Sequence, residues 1–257
     1  MIKLKQLKTL GIISLIIFSF FLTDFVTDIA INNNELMKTI KDSKDTFEIS
    51  SVNAIIENNT IIPGINGKEV DEVESYLNMK DFGTFNKNYL IYKDVLPDIS
   101  IENNKEKVII CGNKKRRNIS ILIKNNTEIL NYCKKNNLKF TKLLKLEDNL
   151  ENIDNINIES EYKKFKDLNT LMNKKELNNK ICLINYSNIK ECLENRYYLV
   201  KYNKEINNKN IINSKNIENG DIIYINDNLN LENFIILIKY IKNKDLKITY
   251  LSDLIKE

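Results

Sequence analysis

At 257 residues the chain is long enough for one medium domain plus an appendage. Ile, Lys and Asn dominate, and the absence of His excludes Ser-His-Asp triads, Cys-His dyads and His-based zinc sites. The net charge of +4 comes from 39 basic and 35 acidic residues interspersed along the chain, which excludes the clustered basic stripe that nucleic acid requires.

Lys3, Lys5 and Lys8 precede the apolar run Leu10 to Leu22, and Asp24 and Asp28 follow it. Basic residues before an apolar run and acids after it orient the segment with its N-terminus in the cytoplasm. Extended to Val26 the run is 17 residues and is interrupted by an aspartate, at the short limit of a span. No small-x-small cleavage site follows. Residues 1–28 therefore read as a signal-anchor or signal peptide, and the rest of the chain as exported. Residues 29–50 are polar and weakly patterned, and read as a stalk or a short helix.

Residues 50–105 hold Gly64, Gly67, Gly83, Pro63 and Pro97. "PGING" predicts a forced turn, and "AIIENNTII" a hairpin with Asn58-Asn59 at its tip. "VDEVESYLNMKDF" predicts a helix with Val70, Val73, Leu77 and Phe82 on its inner face. Together these form a small α+β subdomain.

From residue 107 strands and helices alternate. "KVIICG" and "NISILI" predict strands flanking Lys114-Lys115-Arg116-Arg117, a basic turn. "TEILNYCKKNN" predicts a helix with Ile129, Leu130 and Cys133 inward, and "LKFTKLL" a strand. Residues 146–180 are charged and Asn-rich, with one amphipathic helix marked by Phe165, Leu168, Leu171 and Met172. "KICLINY" predicts a strand, "SNIKECLENR" a helix with Ser187 as cap, and "YYLVKY" and "GDIIYIN" two more strands. "NLENFIILIKYIKNK" is the clearest helix, with Leu231, Phe234, Ile235, Ile238 and Ile241 at helical spacing. "LKITYL" and "SDLIKE" close the pattern. Such alternation implies parallel strands joined by crossovers, in a βα barrel or an open α/β sheet.

Of the four cysteines, Cys182 and Cys192 are the pair closest in sequence, a disulfide in an exported chain; four buried thiols are the other reading. Glu147, Asp148, Glu151 and Asp154 match no calcium loop and read as a solvated face. Tyr197, Tyr198, Tyr202 and Tyr224 offer sugar-stacking faces but read first as packing.

The order of these elements resembles the polysaccharide deacetylase family, whose NodB-like domain is a distorted βα barrel. The segments that carry the resemblance are "ENGDIIYINDNLNLENFIILIKYIKNKDLKITYLSDLI", "NISILIKNNTEILNYCKKNNLKFTKLL" and "KICLINYSNIKECLENRYYLVKY". A further stretch, "IIPGINGKEVDEVESYLNMKDFGTFN", is similar to one found ahead of such domains. The resemblance implies a deacetylase-like domain over 107–257. Active members hold a divalent metal through an Asp and two His, with a second Asp as base and a late His as acid, for hydrolysis of an acetamide. Here Lys124-Asn125 stand where the Asp-Asp pair is expected, and Asn226, beside Asp227, where the late His is expected.

No catalytic residue, metal ligand or cofactor carries over. Lys124, Asn125, Asn226 and Asp227 are the candidate residues of a vestigial ligand site; the alternative is that "NDN" only caps the following helix. The expected function is that of an exported, membrane-anchored, catalytically inactive deacetylase-like protein that binds cell-wall glycan or a surface protein, with no nucleic acid partner. Its alternatives are an amide hydrolase with a non-histidine site and a structural surface protein.

Overall fold

The computed structural model describes residues 4–144, 156–159, 180–184, 189–210 and 216–257. In chain order these form α1 (Leu4–Asn33), α2 (Glu35–Ser43), β1 (Ile55–Glu57), β2 (Thr60–Ile62), β3 (Gly67–Val70), α3 (Glu72–Met79), β4 (Tyr92–Val95), β5 (Val108–Ile109), β6 (Asn118–Ile123) and α4 (Thr127–Lys135). They continue with β7 (Thr141–Leu144), β8 (Ile156–Glu159), β9 (Ile181–Leu183), α5 (Ile189–Glu194), β10 (Tyr198–Val200), β11 (Lys204–Ile206), β12 (Ile222–Ile225), α6 (Leu231–Asn243), β13 (Lys247–Thr249) and α7 (Leu251–Ile255). The acidic run Glu147 to Asp154, the helix marked by Phe165 to Met172 and the cap Ser187 lie outside the described residues.

Two compact units emerge, one of residues 1–50 and 67–95 and one of residues 51–66 and 96–257. The stretch 50–105 is thus divided between them rather than forming one subdomain. The reason is strand pairing: β2 lies parallel to β5, at Thr60↔Val108 and Ile61↔Ile109, and so belongs to the large sheet.

In the first unit, the Gly11–Asn33 part of α1 has a mean hydropathy of 2.0 over its most apolar stretch, none of which is buried, and is long and apolar enough to cross a membrane. Asn34 alone separates α1 from α2, and its side chain caps α2 by accepting from Leu36 N at 2.9 Å. Residues 35–43 are a packed helix rather than a stalk. Leu36 and Ile40 are buried with Val70, Met79 and Leu90, and Lys44 pairs with Glu72 at 2.7 Å.

The buried face of α3 is not the one expected. Val73, Leu77 and Phe82 are exposed, Val70 lies on β3, and Ser75 and Met79 are buried instead. The small Ser75 lets the helix reach the backbone before β4: its Oγ accepts from Ile91 N at 2.9 Å and donates to Ile91 O at 3.3 Å. A hydroxyl satisfied twice is cheap to bury, and an apolar count along the helix does not register it.

In the second unit the strand order is β1-β2-β5-β10-β9-β8-β7-β6-β12-β11, with β13 also beside β6. Every pair in this sheet is parallel except the β1–β2 hairpin. Among the described residues no pairing joins β1 to β11, so the sheet has two edges. At the hairpin tip Asn58 has φ 54°, a left-handed conformation that Asn tolerates.

"PGING" is not a turn. Ile65 bridges Val52 with two backbone hydrogen bonds of 2.8 Å, and a Cβ on Gly64 would stand 2.3 Å from Val52 O. The glycine there permits a close backbone approach rather than a reversal.

Side chains alternate across the sheet as the pleat requires. Ile119, Ile121 and Ile123 of β6, with Ile223 and Ile225 of β12, pack against Ile129 and Cys133 of α4 and Phe234, Leu237, Ile238 and Ile241 of α6. Leu122 and Ile222 point the other way, into a core shared with Leu143, Val200 and the α7 residues Leu251, Leu254 and Ile255. Each such Ile or Leu contributes about 1.5–3 kcal/mol on burial, and these two layers hold the strand ends in place. Cys182 of β9 and Cys192 of α5 are joined as a disulfide with Cα atoms 6.2 Å apart, while Cys111 and Cys133 are buried free thiols.

Candidate functional site

β6 and β12 are parallel neighbours in register from Ser120↔Ile222 to Ile123↔Ile225. The loops leaving the two strands therefore emerge at the same end of the sheet: Lys124-Asn125-Asn126 from β6 and Asn226-Asp227-Asn228 from β12. Residues separated by about a hundred positions meet there. The Asp227 carboxylate accepts from Asn125 N and from Asn125 Nδ2, each at 3.1 Å. Both residues are exposed.

Asn126, which the sequence did not single out, ties the same two loops. Its Oδ1 accepts from Ile129 N at 3.1 Å and caps α4. Its Nδ2 donates to Asp227 O at 3.2 Å and to Leu229 O at 2.8 Å. The signal for Asn126 was present in its placement one residue before a helix, but its second set of bonds is purely tertiary.

Glu205, on β11, was also missed. Its Oε1 accepts from Asn226 Nδ2 at 2.7 Å, and β11 adjoins β12 with Glu205 opposite Tyr224. Asn226 Oδ1 accepts from Asn228 N at 3.2 Å, a short Asx turn. The cap of α6 is Asn230, which accepts from Asn233 N at 2.9 Å, so "NDN" is not the helix cap.

These residues do not suit a catalytic divalent metal. The strand-end pair consists of one carboxylate bonded to an amide, Lys124 adds a cation, and neutral imidazole is missing from the whole chain. Among the described residues no group of three or more His, Cys, Asp or Glu side chains is arranged to hold a metal ion. An amide at 226 does not shuttle protons near neutral pH, but it donates and accepts hydrogen bonds.

At the opposite ends of the strands lies a cavity of about 320 Å³, walled by Ile101, Ile181 and Ile255 and by Tyr198. Tyr198 O–H donates to the Glu102 carboxylate, which Lys105 also reaches at 2.5 Å. Lys105 and Tyr198 hold the Glu102 carboxyl below its ordinary range. Burial, then the Glu102 carboxylate, pushes the Tyr198 phenol well above its own. Tyr202 and Tyr224 stack on each other at 5.1 Å and pack against the inner core. Tyr197 is fully buried.

The same arrangement of elements occurs in solved structures. The CE4 family pseudoenzyme BA3943 of Bacillus anthracis superposes with a TM-score of 0.58 at 19% identity, over 88% of this chain and 96% of that one. A mutant of BA3943 gives 0.55 at 19% identity, over 88% and 99%. The fold is that of the CE4 family, the polysaccharide deacetylases. The likeness read from the sequence is borne out at that level: this is a mixed α/β fold of CE4 type.

In sequence, 101 residues of the chain, 39% of it, are 30% identical to the uncharacterized protein YlxY of Bacillus subtilis strain 168. That match spans 31% of YlxY. No protein-family model matches the chain. Within this CE4-type fold, the Asn125–Asp227 pair sits at the C-terminal ends of β6 and β12.

Proposed function

We propose that the chain is a noncatalytic, deacetylase-like protein, anchored to the membrane by α1 with the rest extracytoplasmic, that binds cell-wall glycan through the strand-end amides. A distorted barrel of the polysaccharide deacetylase type is the architecture this reading assumes. The observation that carries it is the Asn125–Asp227 pair: an amide and a carboxylate, hydrogen-bonded to each other, stand exposed at the strand ends. Supporting it are the absence of histidine, the apolar helix α1 and the likeness to a pseudoenzyme of the same fold. The Cys182–Cys192 disulfide fits an oxidising compartment.

Exposed amides and a carboxylate suit sugar hydroxyls and acetamide groups, which both donate and accept. Lys124, Asn125, Asn226 and Asp227 form the ligand-binding set, with Glu205 orienting Asn226. The test is pull-down of the full chain in detergent with isolated cell-wall glycan and chitin-type oligosaccharides, with and without zinc, reading released acetate in the same tubes. Binding without acetate is expected, and zinc-dependent acetate above the buffer control refutes the noncatalytic reading. Retention that does not fall on Asn125→Ala with Asp227→Ala places glycan binding elsewhere.

A further inference from the structure

The first unit carries an exposed apolar patch that its fold leaves uncovered. Val73 (50% exposed) and Leu77 (40%) stand one turn apart on α3. Phe82 (63%) follows the helix, and its ring stacks at 5.3 Å on that of Tyr89 (40%). Asn78 Nδ2 donates to Tyr89 O at 2.9 Å and holds the Tyr89 segment against α3. Four large side chains this exposed, on one helix and the loop behind it, present on the order of 300 Å² of apolar surface.

The position of this patch in the chain limits what can cover it. Only Asn34 separates α1 from α2, and Lys41 of α2 donates to Asn32 Oδ1 at 2.7 Å, which fastens α2 to the last turn of α1. α2 has nine residues, about 13 Å of helix. α3 packs on it through Leu36, Ile40 and Met79, about 8–10 Å away. Every residue of α3 is therefore within roughly 25 Å of the point where α1 leaves the bilayer. A second copy of the chain is a poor match, because a stable dimer covers roughly 800 Å² per partner. Charge around the patch is slightly acidic, with Glu72, Glu74 and Asp81 against Lys80 and Lys87. That favours insertion of apolar and aromatic groups over attraction to anionic lipid.

We propose that Val73, Leu77, Phe82 and Tyr89 form a second membrane contact, inserted in the headgroup region beside α1 and seating the first unit on the bilayer. This rests on the anchoring reading of α1.

The test uses the full chain in phosphatidylcholine nanodiscs, carrying a polarity-sensitive dye at Phe82→Cys or, as control, at the exposed Glu232→Cys of α6. Shallow spin-labelled lipid should quench the Phe82→Cys dye at least twofold more than the Glu232→Cys dye, in 0.5 M salt as in low salt. Equal quenching at the two positions, with the chain resistant to alkaline carbonate extraction from vesicles, overturns the contact and leaves the anchor standing. Extraction by carbonate removes the anchor and the contact together. A Phe82→Cys dye that is shielded equally in lipid-free detergent, with the chain dimeric by light scattering, assigns the patch to a second copy and also overturns the proposal.

Discussion

Replacing Asn126 by Ala tests whether this one side chain holds the two strand ends together. The substitution removes the α4 cap, the bond from Ile129 N at 3.1 Å, which costs about 1 kcal/mol. It also removes both bonds from Nδ2 to Asp227 O and Leu229 O, for about another 1 kcal/mol in this part-exposed setting. The sum of about 2 kcal/mol lowers the melting temperature by roughly 4–8 °C for a unit of this size. Asn126→Ser separates the two contributions: a serine caps well but is too short to reach Leu229, so roughly half of the loss is expected. The assay is thermal unfolding of the full chain in detergent, followed by circular dichroism. Glycan retention of the Ala variant is measured in parallel at a temperature where it is folded, and should fall because Asp227 is no longer held against Asn125. An Ala variant that melts within a degree of the parent, or a Ser variant as damaged as the Ala variant, refutes the reasoning.

Gly220→Ala should cost about 1–3 kcal/mol from backbone conformation alone, because Gly220 has φ 86° and its Cβ would lie 2.4 Å from Gly112 O; urea unfolding measures it, and a neutral result would show that the strand entry relaxes freely. Thiol titration should find no reactive cysteine in the folded chain and two after unfolding without reductant, rising to four with it; burial pushes the Cys133 thiol up to about 12 and so keeps it protonated at pH 8. Four thiols without reductant would remove the disulfide. Tyr198→Phe should lower stability by an amount that depends on pH. The depressed Glu102 carboxyl contributes above its unfolded value of about 4 and loses that contribution as pH falls through its folded value. The raised Tyr198 phenol contributes fully below about 10 and loses its contribution as pH rises through its folded value. The gap between parent and variant should thus be flat from pH 5 to 9 and narrow on either side, and a gap that does not change down to pH 2 would contradict the pairing.

Much of the architecture was legible because periodicity carries it. β6, β12 and α6 are long apolar patterns with caps or glycines at their ends, and their local preferences agree with their tertiary surroundings. The Asn58 hairpin was legible from its turn chemistry, Asn58-Asn59 set between two pairs of isoleucines. Short segments were less so: β11 is "KEI", and no alternation is visible in three residues. "PGING" reads as a turn by composition, yet its glycine meets the Val52 carbonyl of another segment, and no local rule contains that contact. The inner face of α3 was misread because Ser75 is buried through bonds to Ile91, a partner sixteen residues away.

By itself the sequence determined which chemistry is out of reach: a chain without histidine has no neutral imidazole to ligate a metal or move a proton near pH 7. It also determined that α1 is apolar enough to span a bilayer and that parallel strands and helices alternate. Only the tertiary structure decided which side chains meet at the strand ends. Parallel register between β6 and β12 sets Asn125 against Asp227 across 102 positions of chain, Asn126 spans the gap between their loops, and β11 brings Glu205 to Asn226. Side chains that distant in sequence meet because hydrogen-bonded register and two packed core layers leave the strand ends no other arrangement.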